Sequence, residues 1–323
     1  MNKLMTVVAA SVCAVSLSRP VFAEDESAEL QEEESAIFEA GFDFDFFSAY
    51  VWRNAVQNRD MVMQPCVWAD LTYFEPFWLG FSIWQNYDLT HRRGGVYRYG
   101  VNETDYNIHL GATLWENEDG DQSVGLEIGH DWYTYHGVRN EFYEDGTRLR
   151  DGYPDTAEVY VKLTYDNPFV NVYGQASYMY DDFGDYRKSM HYELGFNREF
   201  ELCDSLTAGV DWNVNFGDGR YLNFLYGGTS SGKYFEEVEE DVVEGPYDDY
   251  ADSSAGFGGT TVKFYLNYDI TDNLQLGAAI AYTGILNGAY RDAVGDQGDN
   301  YDFYGEDYPR DLVWGGLSLR LSY

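Results

Sequence analysis

Two sets of residues in this 323-residue chain have types and spacing that could do chemistry. The first is Ser189, His191 and Glu193, placed two apart along one segment. A serine, a histidine and an acid can supply the nucleophile, base and orienting group of acyl transfer. Alternate residues of a strand stand roughly 6.5–7 Å apart, which is poor for direct hydrogen bonding. The trio therefore reads as ordinary polar positions, with hydrolysis of a lipid ester as the competing reading. His130, beside Trp132, has no serine near it in sequence. The second set is Asp43, Asp45, Asp70, His109, Glu127, Asp131, Glu158, Lys162, Glu193, Asp211, Lys263, Asp269 and Arg320. Its carboxylates outnumber Lys162, Lys263 and Arg320, and acids gathered in a low-dielectric wall favour cations. That chemistry is electrostatic and passive, with no covalent step.

The elements that must position these residues alternate. In Leu312 to Tyr323 (LVWGGLSLRLSY), Val313, Leu317, Leu319, Leu321 and Tyr323 fall on one face of a strand. Trp314, Gly316, Ser318, Arg320 and Ser322 fall on the other. Such period-two alternation is expected where one face meets an apolar medium and the other a polar one. Twelve segments read this way, beginning near Glu39, Val62, Phe77, Thr104, Gln122, Thr156, Val170, Lys188, Ser205, Thr261, Leu274 and Leu312. In the first, Phe42, Phe44, Phe46 and Tyr50 share the apolar face and Asp43 and Asp45 the polar one. Every member of the second set above lies on the polar face of its strand.

The connections carry a further pattern. Turns such as Glu75-Pro76, Glu118-Asp119-Gly120, Asp166-Asn167-Pro168 and Asp272-Asn273 are tight, and they alternate with longer loops, the longest Gly217 to Gly259. Short turns on one rim and long loops on the other are expected of an antiparallel, up-and-down transmembrane β-barrel with periplasmic turns and external loops. Aromatic residues group near both rims, among them Trp115, Tyr165, Phe200 and Tyr268 by the turns and Tyr50, Trp52, Trp132 and Tyr282 by the loops. They predict two interfacial girdles. A final strand ending on an aromatic resembles the assembly signal read by the barrel assembly machinery.

Residues 1–23 read as an export signal: Lys3, an apolar run, then Val21-Phe22-Ala23 as a cleavage site. Residues 24–36 hold an acidic stretch with little to bury, expected to be a solvated tail, and 37–323 form the barrel. Without Lys3 and Arg19 the chain keeps 18 basic against 56 acidic residues, which makes nucleic acid an improbable partner. Outer-membrane lipid and small solutes or cations are the expected partners. Loop acids, including Glu236 to Glu244 and Asp292 to Asp307, have no calcium-loop spacing and read as a solvated surface. No cofactor or metal site is expected. Cys66 and Cys203 are predicted to be free thiols, since one lies well within a strand and the other at a turn, beyond the roughly 7 Å a disulfide allows.

Tyr50-Val51-Trp52-Arg53, then Gln64-Pro65, then Trp84-x-Asn86-x-Asp88-Leu89 resembles the TorF-type porin family of bacterial outer membranes. In that family Gly commonly follows the Arg, where this chain has Asn54. The resemblance implies an outer-membrane location and a barrel more than any one substrate. The combined expectation is a twelve-strand barrel acting as a channel for small polar or cationic solutes. An outer-membrane lipid hydrolase and a plugged structural or adhesive barrel are the alternatives.

Overall fold

The computed structural model describes residues 37–74, 76–89, 100–136, 141–142, 148–150, 155–180, 188–226, 255–288, 290–291 and 310–323. The expected export signal, the acidic tail and the acidic segments 236–244 and 292–307 lie outside these residues.

Twelve strands close into a barrel: β1 (Ile37–Phe47), β4 (Val62–Phe74), β5 (Phe77–Asp88), β6 (Gly100–Glu116), β7 (Ser123–Tyr135), β10 (Thr156–Asp166), β11 (Asn171–Met179), β12 (Ser189–Cys203), β13 (Leu206–Gly217), β14 (Gly256–Thr271), β15 (Leu274–Ile285) and β16 (Asp311–Ser322). A hairpin of β2 (Tyr50–Trp52) and β3 (Ala55–Asn58) follows β1. Short strands β8 (Glu141–Phe142) and β9 (Arg148–Arg150) pair in the loop after β7, and a helix, α1 (Gly219–Tyr226), follows β13.

Each barrel strand pairs antiparallel with its neighbours, and β16 returns to β1 in a register running from Gly41 opposite Ser322 to Phe47 opposite Gly316. The backbones of Ala40 and Tyr323 exchange hydrogen bonds of 2.9 and 3.1 Å at this seam. Closure leaves no edge strand, which is what a bilayer demands of a sheet. The alternation decides the two faces. Leu163, Phe264 and Leu317 remain 51%, 57% and 56% exposed, as do many apolar residues of the same parity on other strands. In water such a belt would be an aggregation hazard; around a closed barrel it is the surface that meets lipid. The protein is thus a transmembrane antiparallel β-barrel of the bacterial outer membrane.

On the inner face, large rings lie against glycines of neighbouring strands. A Cβ on Gly111 would stand 2.0 Å from Trp78, one on Gly129 2.3 Å from Tyr160, and one on Gly209 2.1 Å from Tyr265. These glycines make room for the rings within a narrow lumen.

The structure corrects three expectations. Strand β1 ends at Phe47, so Tyr50 and Trp52 are not in the external girdle: they belong to the β2–β3 hairpin, where Tyr50 is buried and packs on Trp84 at 5.4 Å. Gly256, Gly258 and Gly259, expected within the long loop that ends at Gly259, are strand residues of β14. A Cβ at Gly259 would meet Asn54 at 2.9 Å, so glycine serves close approach there. Cys203 is the last residue of β12 rather than part of a turn; it and Cys66 are both free thiols.

Candidate functional site

The thirteen charged and polar candidates lie on the face turned away from the apolar belt. Partners within this lumen satisfy most of them. Asp43 receives hydrogen bonds of 2.7 and 3.2 Å from Arg320 across the closing seam. Asp45 lies two residues further on, opposite Gln64 and Ser318. Asp70 on β4 reaches His109 on β6 at 3.6 Å, and the pair passes over Gly80 of the intervening strand. His109 in turn contacts Asn107 at 2.7 Å. Glu127 accepts from the Tyr160 hydroxyl at 2.8 Å and sits opposite Lys162, whose ammonium lies 5.4 Å from the Tyr173 ring. Glu193 accepts from Tyr173 at 2.5 Å, Asp211 pairs with Lys263 at 2.7 Å, and Asp269 near the turn rim accepts from Gln275 at 2.8 Å. Asp131 accepts from Asn107 at 2.7 Å and stands opposite Glu158 in register.

Toward the loop end the character changes. Glu103, Asp105, Asp131 and Glu158 gather on β6, β7 and β10. The cation that enters this group comes from the hairpin. Arg53 ion-pairs with Glu158 and also donates to Tyr221 at 2.7 Å and Tyr133 at 3.4 Å. Its guanidinium lies 4.7 Å from the Trp52 ring centre. In the barrel order β10 stands roughly opposite β1, so the chain leaving β1 crosses the lumen to reach Glu158. Burial opposes the Arg53 charge, but Glu158 and the phenols outweigh it and hold the group protonated well above its ordinary range. Tyr221, on α1, is pushed the other way from ionisation: burial raises its phenol despite the guanidinium beside it.

Local sequence explains how the hairpin turns. Arg53 and Asn54 have φ of 48° and 64°, the left-handed pair of a two-residue type I′ turn. Asn tolerates this region and Gly tolerates it better, which accounts for Gly in the resembling motif. Arg at φ 48° is strained by about 1–2 kcal/mol, a cost its buried partners offset. The remaining motif residues form the hairpin's footing. Gln64 donates to Asn86 at 2.9 Å, and Asn86 and Asn58 both donate to Asp88, at 3.2 and 2.6 Å. Tyr50 hydrogen-bonds Glu103. Residues spread over three segments of sequence thus anchor one inward hairpin.

Helix α1 completes the closure. Asp218 caps it, accepting from the Tyr221 amide at 2.8 Å, and ties it to β12 by accepting from the Met190 amide at 2.8 Å. Tyr221 and Leu222 are 0% exposed and pack with Ala55, Met179, Tyr226, Ile285 and Tyr290. Asn215, fully buried on β13, donates to the Arg53 carbonyl at 2.5 Å, and Asn54 donates to the Gly259 carbonyl at 3.2 Å. Side chains here are buried by protein, so the loop end of the lumen is filled in this state.

Ser189, His191 and Glu193 share the inner face of β12, but no triad forms. Among the described residues, Ser189, 0% exposed, has no hydrogen bond to its hydroxyl, and the His191 ring lies against Tyr221 at 4.8 Å with neither nitrogen bonded. The helix covers His191 through Tyr221, and Glu193 is taken up by Tyr173 of β11. On the outer face, His130 contacts the Tyr180 hydroxyl at 2.6 Å. Sequence reading missed Glu103, Asp105 and Tyr221 as lumen residues. Asp105 has the same parity as His109 and was available by that signal.

No protein-family model and no curated protein matches the chain. Solved structures resemble it weakly. An outer membrane channel from Pseudomonas putida F1 is 12% identical, with 93% of this chain and 100% of that one covered at a TM-score of 0.45. The NanC porin is 9% identical over 87% of this chain and 98% of its own, at 0.46. The outer membrane phospholipase A from Escherichia coli is 12% identical over 87% and 89%, at 0.42.

Proposed function

We propose that the protein is an outer-membrane diffusion channel for small polar or cationic solutes, closed in this state by the hairpin and helix at its loop end. The observation that carries the reading is the way the closure is held. A permanent filler gains most from apolar packing, since a buried ion pair is often no more stabilising than apolar residues of the same volume. Here the hairpin tip is instead latched by Arg53 on Glu158 and by polar bonds through Asn54 and Asn215. Such contacts can be exchanged for water or solute, which suits a gate. Below the latch, the carboxylates of the inner wall exceed Lys162, Lys263 and Arg320, so the open lumen favours cations. Width and charge would select the solute; no residue does covalent chemistry. Assembly would proceed through the β16 strand, which closes the barrel.

The plugged structural barrel remains the second reading, and the apolar cluster of Tyr221, Leu222 and Tyr226 favours it. Lipid hydrolysis has less support, because Ser189 and His191 are buried on the inner face. Planar-bilayer recording separates the first two. The channel reading expects brief openings of the wild type and sustained, cation-selective conductance when Arg53 is replaced by Ala. A folded variant with no conductance would favour the plug. Phospholipid hydrolysis lost in Ser189→Ala would favour the enzyme.

A further inference from the structure

The pocket that receives Arg53 is built almost wholly from elements other than the hairpin. Glu158 comes from β10, Tyr133 from β7 and Tyr221 from α1. Together they offer a carboxylate and two phenol oxygens around one planar cation, with the Tyr221 ring centre 5.7 Å from the guanidinium carbon. This set of acceptors suits a guanidinium fork better than a compact ammonium, which neither spreads its donors in a plane nor stacks as well. Glu158 is fully buried; Arg53 and Tyr133 both bond its Oε1, and its Oε2 accepts no hydrogen bond from the described residues, so one carboxylate oxygen is without a donor. Asp131 of β7 stands opposite Glu158 in register, so a second carboxyl group borders the pocket.

We propose that this pocket is a recognition site for small guanidinium-bearing solutes, which open the channel by taking the place of Arg53. The inference rests on the channel reading and names the class of solute to which the gate responds. Arg53 is then a tethered stand-in for the ligand. A tethered group competes at an effective concentration in the millimolar range, so free solute should compete at millimolar levels or above. Recognition would be general for the guanidinium head and indifferent to a short aliphatic tail.

The test uses full-length Arg53→Ala protein, with folding verified by heat-dependent gel mobility, and methylguanidinium against methylammonium as probes. Methylguanidinium at tens of millimolar should raise the unfolding temperature of the variant and reduce its conductance, with methylammonium at least tenfold weaker. Glu158→Gln added to Arg53→Ala should abolish both effects. In the wild type, methylguanidinium should raise the open probability. Equal potency of the two probes, or effects that survive loss of Glu158, would overturn the proposal while leaving the channel intact. If Arg53→Ala folds but never conducts, the channel reading fails, and the temperature shift alone still decides whether the pocket binds guanidinium. Should Arg53→Ala not fold, Arg53→Gln takes its place in each measurement.

Discussion

Arg53 and Glu158 are 105 positions apart in sequence and form an ion pair across the lumen of the barrel. The acid is fixed on the wall and the arginine is carried by a two-stranded hairpin that folds inward. Among the contacts described at the hairpin tip, this is the pairing of two opposite charges; the others are hydrogen bonds to neutral groups and ring contacts. The pair is therefore the contact whose loss changes the state of the loop end most.

Removing one partner should cost more than removing both. A buried carboxylate left without its cation costs about 3–5 kcal/mol, whereas replacing both partners by neutral groups is often close to neutral. Arg53→Ala should lower the unfolding temperature more than the Arg53→Ala, Glu158→Gln double variant. A double-mutant cycle on heat-dependent mobility measures the difference. Additive effects would mean that the pair is not coupled.

Asn54 holds a left-handed backbone with φ of 64° and bonds the Gly259 carbonyl. Asn54→Gly relieves the backbone and loses one hydrogen bond, two effects of about 1 kcal/mol that nearly cancel. Asn54→Val loses the bond and adds strain, and should loosen the hairpin by about 2 kcal/mol or more. Limited proteolysis at residues 48–61 should distinguish them, with the valine variant cut faster and the glycine variant close to wild type.

The face assignment makes a sharp pair of substitutions in β16. Leu317 is 56% exposed on the apolar belt, and Ser318 is its inward neighbour. A charged residue facing lipid near mid-membrane costs about 2–4 kcal/mol for Arg or Lys. Leu317→Lys should reduce the yield of folded barrel in lipid vesicles, and Ser318→Lys should not.

Lumen charge should set selectivity. Asp211 and Lys263 pair at 2.7 Å, and both sides of the pair are about a third exposed. Lys263→Gln leaves Asp211 unneutralised and should shift the reversal potential toward cations; Asp211→Asn should shift it the other way. Stability should change by less than about 1 kcal/mol in either case, as for a solvent-screened pair.

The barrel was legible because lipid and lumen demand opposite chemistry from successive residues, so Leu317, Leu319 and Leu321 against Ser318, Arg320 and Ser322 report their faces directly. The hairpin was not legible in this way. Tyr50-Val51-Trp52 continues the aromatic alternation of β1, and an apolar side chain packed in a plug has the same pattern as one in lipid. The local clue was Asn54 where the resembling family has Gly, a sign of left-handed backbone. Its partner Glu158 could not be named from sequence, because strand parity gives the face of a residue and not what crosses the lumen to meet it. Gly258 and Gly259 were hidden for a related reason: close approach to Asn54 and Asn215 depletes side chains just as a mobile loop does.

The most direct test is single-channel recording in a planar bilayer under a salt gradient, with wild type and Arg53→Ala folded to the same heat-dependent mobility. A latched, acid-lined channel predicts rare openings of the wild type, and long openings of the variant with a reversal potential on the cation side. Equal conductance in both, or an anion-selective variant, would contradict it.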